Sequence, residues 1–275
     1  MKVLGEKLLR SRVPIFHVAS MARSGETVVL RTLAAHPHVR VVHQIHAEDK
    51  GEELRLFSYL QGHKPEALSL SHRYLKYLAC GKADVLVVKQ GVWEHRWPFR
   101  GFILSRNPAA IYASLLTYDS EPPGERPKSW EGNAKRLVGW MRNIDATLCD
   151  EMMGLSAIEQ FGLFYNRRMG HLYKTGLPII YYEKFVSEPR SEVLKILEIL
   201  GVNFHDSMLR SHEKFPEGCL GHGKNPLGRP IDKNSLEKYK KVLTNEEVKE
   251  IAQITKGVSC DMYGYFKNID NSHLG

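Results

Sequence analysis

A chain of 275 residues with 43% apolar and 25% charged side chains can bury a full core, which excludes a disordered tail or a fibre. A formal charge of +8 favours an anionic ligand: nucleotide, sulfated or acidic glycan, nucleic acid or a membrane surface. No apolar run reaches the roughly eighteen residues of a transmembrane segment, and "MKVLGEKLLRSRVP" is too broken by charge for a signal-peptide core, so the expected location is cytoplasmic.

The first element is the apolar, β-branched run "VPIFHVAS" (13 to 20), which predicts a strand. Val28, Val29, Leu30, Leu33 and Ala34 then recur at helical spacing. Between strand and helix lie Ser20, Arg23, Ser24, Gly25 and Thr27. They combine small turn residues, hydroxyls, a guanidinium and the free N–H groups of a helix start, the parts of a phosphate cradle. The NTPase pattern G-x-x-x-x-G-K-[ST] is not met, because no Gly lies four residues before Gly25 and Arg23 precedes that glycine.

Further along, "VRVVH" (39 to 43) predicts a second strand, followed by helices around 51 to 61 and 65 to 79. "DVLVVK" (84 to 89) and "RGFILS" (100 to 105) predict buried strands. "NPAAIYASLLTY" predicts the next helix, with Asn107 as N-cap and Pro108 at its first position. Helices near 130 to 148 and 156 to 175 lead to a strand over 177 to 183 and the helix "SEVLKILEILGV". The Pro-, Gly- and charge-rich stretches 119 to 130 and 212 to 235 predict mobile loops. Alternating strands and helices imply an α/β fold, one domain over 1 to 275 with a mainly parallel sheet covered on both faces. Ligands of such sheets bind beyond the carboxyl ends of the strands. The four cysteines, Cys80, Cys149, Cys219 and Cys260, form no Cys-x-x-Cys pair, so neither a zinc knuckle nor a disulfide framework is expected, and the thiols should be reduced and mostly buried.

A second chemical motif lies in "FILSRNPAAIYASL" (102 to 115). Arg106 leaves the end of a buried strand and Ser114 follows two helical turns later, so an anion over the strand end could meet both. "ARSGET" and "RNPAAIYAS" together resemble the two nucleotide motifs of the sulfotransferases that use 3′-phosphoadenosine 5′-phosphosulfate (PAPS). A third segment, "IIYYEKFVSEPRSEVLKILEILGV", resembles that family's Tyr-Glu strand end and following helix, and the tail from "GRPIDKNSLEKYKK" to "MYGYF" is similar to that of tyrosylprotein and related sulfotransferases. The likeness runs from about residue 13 to 266.

The resemblance implies a P-loop-NTPase-like sulfotransferase fold. Its PAPS-binding strands and loops would span 13 to 118, a helical acceptor side 119 to 175 and a nucleotide-closing part 176 to 266. It implies that Ser24, Gly25 and Thr27 hold the 5′-phosphosulfate, that Arg23 offsets charge on the bridging oxygen, and that Arg106 and Ser114 take the 3′-phosphate. Tyr182 would line the adenosine side and Arg229 would close over the nucleotide. Ala22 and Glu26 depart from the family pattern; an anionic Glu26 repels a phosphate unless it turns away, so no binding role is assigned to it. No metal is implied.

Sulfuryl transfer to a hydroxyl needs a base, and the family places one at the end of the second strand or beyond the third. "VVHQIHAED" offers His43 and His46, with Glu48 as a rival and Gln44 nearest the family's Glu position. Lys89 is a candidate cation facing the sulfuryl group, and His95 a more remote candidate. The expected partner is a hydroxyl-bearing acceptor, a carbohydrate, glycolipid or small metabolite, with no nucleic acid. Aromatics such as Trp130, Phe161, Phe164 and Tyr165 fall at helical spacing and are expected in the core. Two other classes compete. A P-loop kinase would need Lys-Ser/Thr after the loop glycine and an acidic strand-end metal ligand. A non-enzymatic binder of anionic polymers would interleave its basic residues with aromatics, and this chain does not.

Overall fold

A computed structural model describes residues 14–42, 84–89, 100–117, 130–141, 145–215 and 227–263. The strands are β1 (Ile15–Ser20), β2 (Val39–Val42), β3 (Val85–Lys89), β4 (Gly101–Ser105) and β5 (Ile179–Tyr181). The helices are α1 (Glu26–Ala34), α2 (Pro108–Leu116), α3 (Trp130–Met141), α4 (Leu148–Glu151), α5 (Ala157–Tyr173), α6 (Tyr182–Ser187), α7 (Pro189–Leu200) and α8 (Asn245–Tyr263).

All five strands pair in parallel in the order β2-β3-β1-β4-β5. From β1 the chain moves outward to β2, returns to β3, and then passes to β4 on the other side. The direction of connection thus reverses around β1, and in an open α/β sheet that is where a ligand crevice opens beyond the carboxyl ends.

Every residue of β3 and β4 is buried, as strands covered on both faces require. One face of the sheet carries Phe16, Val18, Val85, Val87, Phe102 and Leu104 and is covered by Val29, Leu30 and Leu33 of α1, Phe185 of α6 and Ile196 and Leu197 of α7. Ala19 and Ile103 face the other way, into a cluster built from α2, α3, α5 and α8. Trp130, Phe161, Phe164 and Tyr165 are fully enclosed there, with the Trp130 and Phe161 rings edge to face at 5.6 Å. They are core residues, as their helical spacing leads one to expect.

Three boundaries differ from the sequence reading. The helix expected over 130 to 148 is described to Met141 and is interrupted at 145–147, before α4 starts at Leu148. In between, Asp145 Oδ1 accepts from both the N–H and the hydroxyl of Thr147, an Asx-type turn that competes with helix. The last strand stops at Tyr181, because the chain turns there into α6 and places the Tyr182 ring against the Gly25 loop. The stretch 212–235 is not uniformly a loop: Ser211–Lys214 and Lys233–Ser235 form 3-10 turns. Cys149 is exposed, against the expectation of buried thiols, because α4 is a single turn that buries only Leu148. Cys80, Cys219, the Cys260 side chain and the helices expected over 51 to 61 and 65 to 79 lie outside what is described. Among the described residues no helix is long and apolar enough to cross a membrane.

The sheet centre also carries a titratable group. Gly101 at φ 141° lies so close to β1 that a Cβ would strike the His17 backbone, and His17 N–H donates to Arg100 O at 2.8 Å. Burial holds the His17 imidazole down to about 4, against an ordinary 6.5. Below pH 6.5 the unfolded chain therefore binds a proton that the folded chain refuses. Its contribution is complete above that value and is lost as the pH falls toward 4. We expect unfolding free energy to drop by up to about 3 kcal/mol over this window, and His17→Gln to flatten that part of the profile. Denaturant midpoints measured from pH 7 downward decide the point; parallel profiles would remove His17 as the cause.

Candidate active site

The turn between β1 and α1 has an unusual backbone. Arg23 has φ 74° and Gly25 φ 93°, so the turn alternates left-handed residues, a backbone pattern that shapes an anion-binding concavity, and it is closed by the Ser24 N–H donating to Met21 O at 3.2 Å. A non-glycine residue held in that region stores strain, a cost tolerated where a site requires it. Among the described residues no side chain caps α1, whose N-cap is Gly25, so the first turn of the helix faces the cradle without a capping side chain. A Cβ at position 25 would run into the Tyr182 ring, so only glycine lets that ring close on the loop.

Within this cradle Ser24 is fully buried and its Oγ has no hydrogen-bond partner among the described residues. An orphaned buried hydroxyl is costly unless a ligand completes it, which fits a phosphate or sulfate oxygen. Glu26 does not oppose such an anion from the concave side: it is buried and its Oε1 accepts from Ser20 Oγ at 2.9 Å. Thr27 is half-buried in the first turn of α1.

Arg106 and Ser114 meet the cradle through Arg23. Arg106 Nη1 donates to Arg23 O at 2.9 Å, and Arg23 Nε donates to Ser114 Oγ at 3.0 Å. The Arg106 guanidinium also lies 4.5 Å from the Tyr182 ring centroid, a cation–π contact, and donates from Nη2 to Ser235 O at 3.2 Å. Arg106 Nε is buried with no partner among the described residues. The Arg106 turn is itself held: Asn107 N–H donates to Glu183 Oε1 at 2.9 Å, and Asn107 Oδ1 caps Ala109 N–H at 2.9 Å.

Tyr182 is buried, and its hydroxyl shares a 2.6 Å hydrogen bond with Ser235 Oγ. Arg229 is exposed and pairs with Asp232 at 2.6 Å. Lys89 is buried at the carboxyl end of β3, in register with Val18 and on the same sheet face. Gln44, His43, His46, Glu48 and His95 lie outside the described residues; β2 is described to Val42, one residue before His43.

Two arginines escaped the sequence reading. Arg168 is fully buried in α5 and donates from Nη2 to Ser20 O at 3.2 Å, at the root of the cradle. Burial lowers its pKa to about 9, so it remains a cation at neutral pH. Its signal was present: Phe161, Tyr165, Arg168 and Leu172 share one buried helical stripe. Arg31, also buried, donates from Nη1 to Leu227 O and Arg229 O, both at 2.6 Å. Burial lowers its pKa to about 10, partly offset by the fields of Tyr182 and Asp232. Among the described residues no three His, Cys, Asp or Glu side chains converge as a metal site.

No family model matches the chain. Among solved structures it is similar to the sulfotransferase domain of the Synechococcus PCC 7002 olefin synthase, at 16% identity and TM-score 0.50 over 89% of this chain and 93% of that one. It is likewise similar to the sulfotransferase domain of the curacin biosynthetic pathway, at 15% identity and TM-score 0.53 over 88% and 96% of the two chains. The parallel five-stranded sheet with flanking helices is thus the fold of sulfotransferase domains.

Proposed function

We propose that the protein is a sulfotransferase that moves the sulfuryl group of PAPS to a hydroxyl of a sugar, glycolipid or small metabolite. The observation that carries this reading is the strained Arg23–Gly25 turn with its buried, unpartnered Ser24 hydroxyl, tied through Arg23 to both Arg106 and Ser114. A nucleotide with an anionic group at each end matches two linked anion sites better than one carrying a single phosphate chain does. The sulfotransferase fold supports the same choice.

In this reading PAPS supplies an activated sulfuryl group: an acceptor oxygen–sulfur bond forms, the bridging sulfur–oxygen bond breaks, and adenosine 3′,5′-diphosphate leaves. Ser24, Gly25 and Thr27 hold the 5′ end through N–H groups and hydroxyls. Arg23 sits where charge grows on the bridging oxygen, and Lys89 supplies a second cation near the crevice. Arg106 and Ser114 take the 3′-phosphate, Tyr182 backs the adenosine side, and Arg229 lies on the segment that closes it. A base from the His43 to Glu48 stretch receives the hydroxyl proton.

Arginine, lysine and backbone N–H groups here provide the positive potential that kinases draw from magnesium. Enzyme treated with EDTA should therefore transfer radiolabelled sulfuryl from PAPS to a member of a glycan, lipid and phenol panel, at a rate within about twofold of the untreated enzyme. Strict dependence on magnesium, together with phosphoryl transfer from ATP, would favour the kinase reading.

A further inference from the structure

Arg31 lies one and a half turns into α1, on the helix whose start forms the cradle. It is 3% exposed, and a cation in that position needs strong acceptors. Those it finds are not on neighbouring helices. Arg31 Nη1 donates to two backbone carbonyls, Leu227 O and Arg229 O. Alternate carbonyls of one short segment taken by one guanidinium nitrogen fix that segment's path over α1.

The head of Arg229 is fixed as well. Its Nε meets Asp232 Oδ2 at 2.6 Å, so backbone and side chain of the same residue each have a charged partner. Further along, Ser235 is bound twice, its carbonyl by Arg106 and its hydroxyl by Tyr182. The segment from Leu227 to Ser235 is therefore tied at one end to α1 and at the other to Arg106 and Tyr182. Sequence alone marks it as a mobile loop; the contacts make it a strap with two anchors.

Resting on the nucleotide reading above, we infer that Arg31 is a positioning residue, which sets Arg229 over the nucleotide site by clamping the 227–232 strap to α1. Arg31 itself touches no reacting atom. Without it, the strap keeps the Ser235 anchor and the apolar packing of Leu227 and Ile231, but the Arg229 carbonyl loses its donor although the ion pair with Asp232 persists.

The test compares wild type, Arg31→Met and Arg31→Lys as full chains. Hydrogen exchange of the Leu227–Ser235 amides and calorimetric affinity for adenosine 3′,5′-diphosphate are measured side by side. In Arg31→Met, exchange of this segment should accelerate about tenfold or more while β1 and β4 keep their protection. The diphosphate Kd should rise roughly tenfold, as for loss of charge-assisted hydrogen bonds. Arg31→Lys, which keeps a cation and can still reach one carbonyl, should fall between wild type and Arg31→Met on both measures. Unchanged exchange in the strap overturns the clamp, and so does acceleration spread equally over β1 and β4. A faster strap with unchanged diphosphate affinity overturns the positioning role. If wild type binds no diphosphate, the nucleotide reading fails and the positioning role with it, while the exchange data still judge the clamp separately.

Discussion

Arg23→Met is expected to lower the turnover of the proposed sulfuryl transfer by about a hundredfold to a thousandfold, the scale of losing one group aimed at developing charge. The reason is positional. Arg23 is held at φ 74° inside the cradle, and its side chain is aligned on Ser114 Oγ at 3.0 Å. A cation kept in the cradle can move from Ser114 to the bridging oxygen as that oxygen becomes negative. Arg23→Lys keeps the charge without the fork and should recover most of the loss. Initial rates at saturating PAPS, with diphosphate affinity measured in parallel, separate the two contributions. A turnover within threefold of wild type for Arg23→Met, on the same scale, would remove Arg23 from the transfer step.

Loss of the acceptor base has the other large effect. His43→Ala should lower turnover by about a hundredfold to ten-thousandfold and leave diphosphate affinity nearly unchanged. A hydroxyl proton becomes acidic only as the oxygen–sulfur bond forms, so a group with an ordinary pKa near 7 suits transfer at neutral pH. β2 runs outward to Val42 beside Val88 of β3, and Lys89 follows directly at the sheet's carboxyl edge. His43 is the next residue in the sequence after Val42 and lies outside the described residues. His43→Ala, His46→Ala and Glu48→Gln assayed together assign the role: full activity in the first with loss in the last would make the base a carboxylate. Loss of both turnover and affinity in one variant would mark damage to the fold.

The cradle was legible because it is local. Strand, glycine turn and helix start lie within a dozen residues, and each is set by its own period and turn chemistry. The strand-end Arg106 and helix-borne Ser114 were legible for the same reason, as eight residues fix both positions. The supports are not local. Arg31 reaches its carbonyls across 196 and 198 residues, Arg168 reaches Ser20 across 148, and Arg106 reaches Ser235 across 129. No spacing rule spans such distances; only the packing of α1 on one face of the sheet, α5 on the other and the strap beyond them brings these groups together. Glu183 was visible as the end of a Tyr-Glu strand, yet its task, accepting from Asn107 N–H, depends on the adjacency of β4 and β5. The helix break at Asp145 was missed because the polar Asp-x-Thr turn sits inside an otherwise continuous helical pattern.

The central claim is that the linked sites around Arg23 read a nucleotide with a phosphate on its 3′ position. Calorimetric titration of wild type and Arg106→Ala with adenosine 3′,5′-diphosphate and with adenosine 5′-diphosphate tests this directly. Wild type should prefer the 3′-phosphorylated ligand. Arg106→Ala should weaken that ligand by about tenfold to a hundredfold, the worth of a charge-assisted pair at about 1.5 to 3 kcal/mol, while its affinity for the 5′-diphosphate changes little. Equal affinity of wild type for the two nucleotides, or an Arg106→Ala protein that binds the 3′,5′-diphosphate as tightly as wild type, would contradict the account.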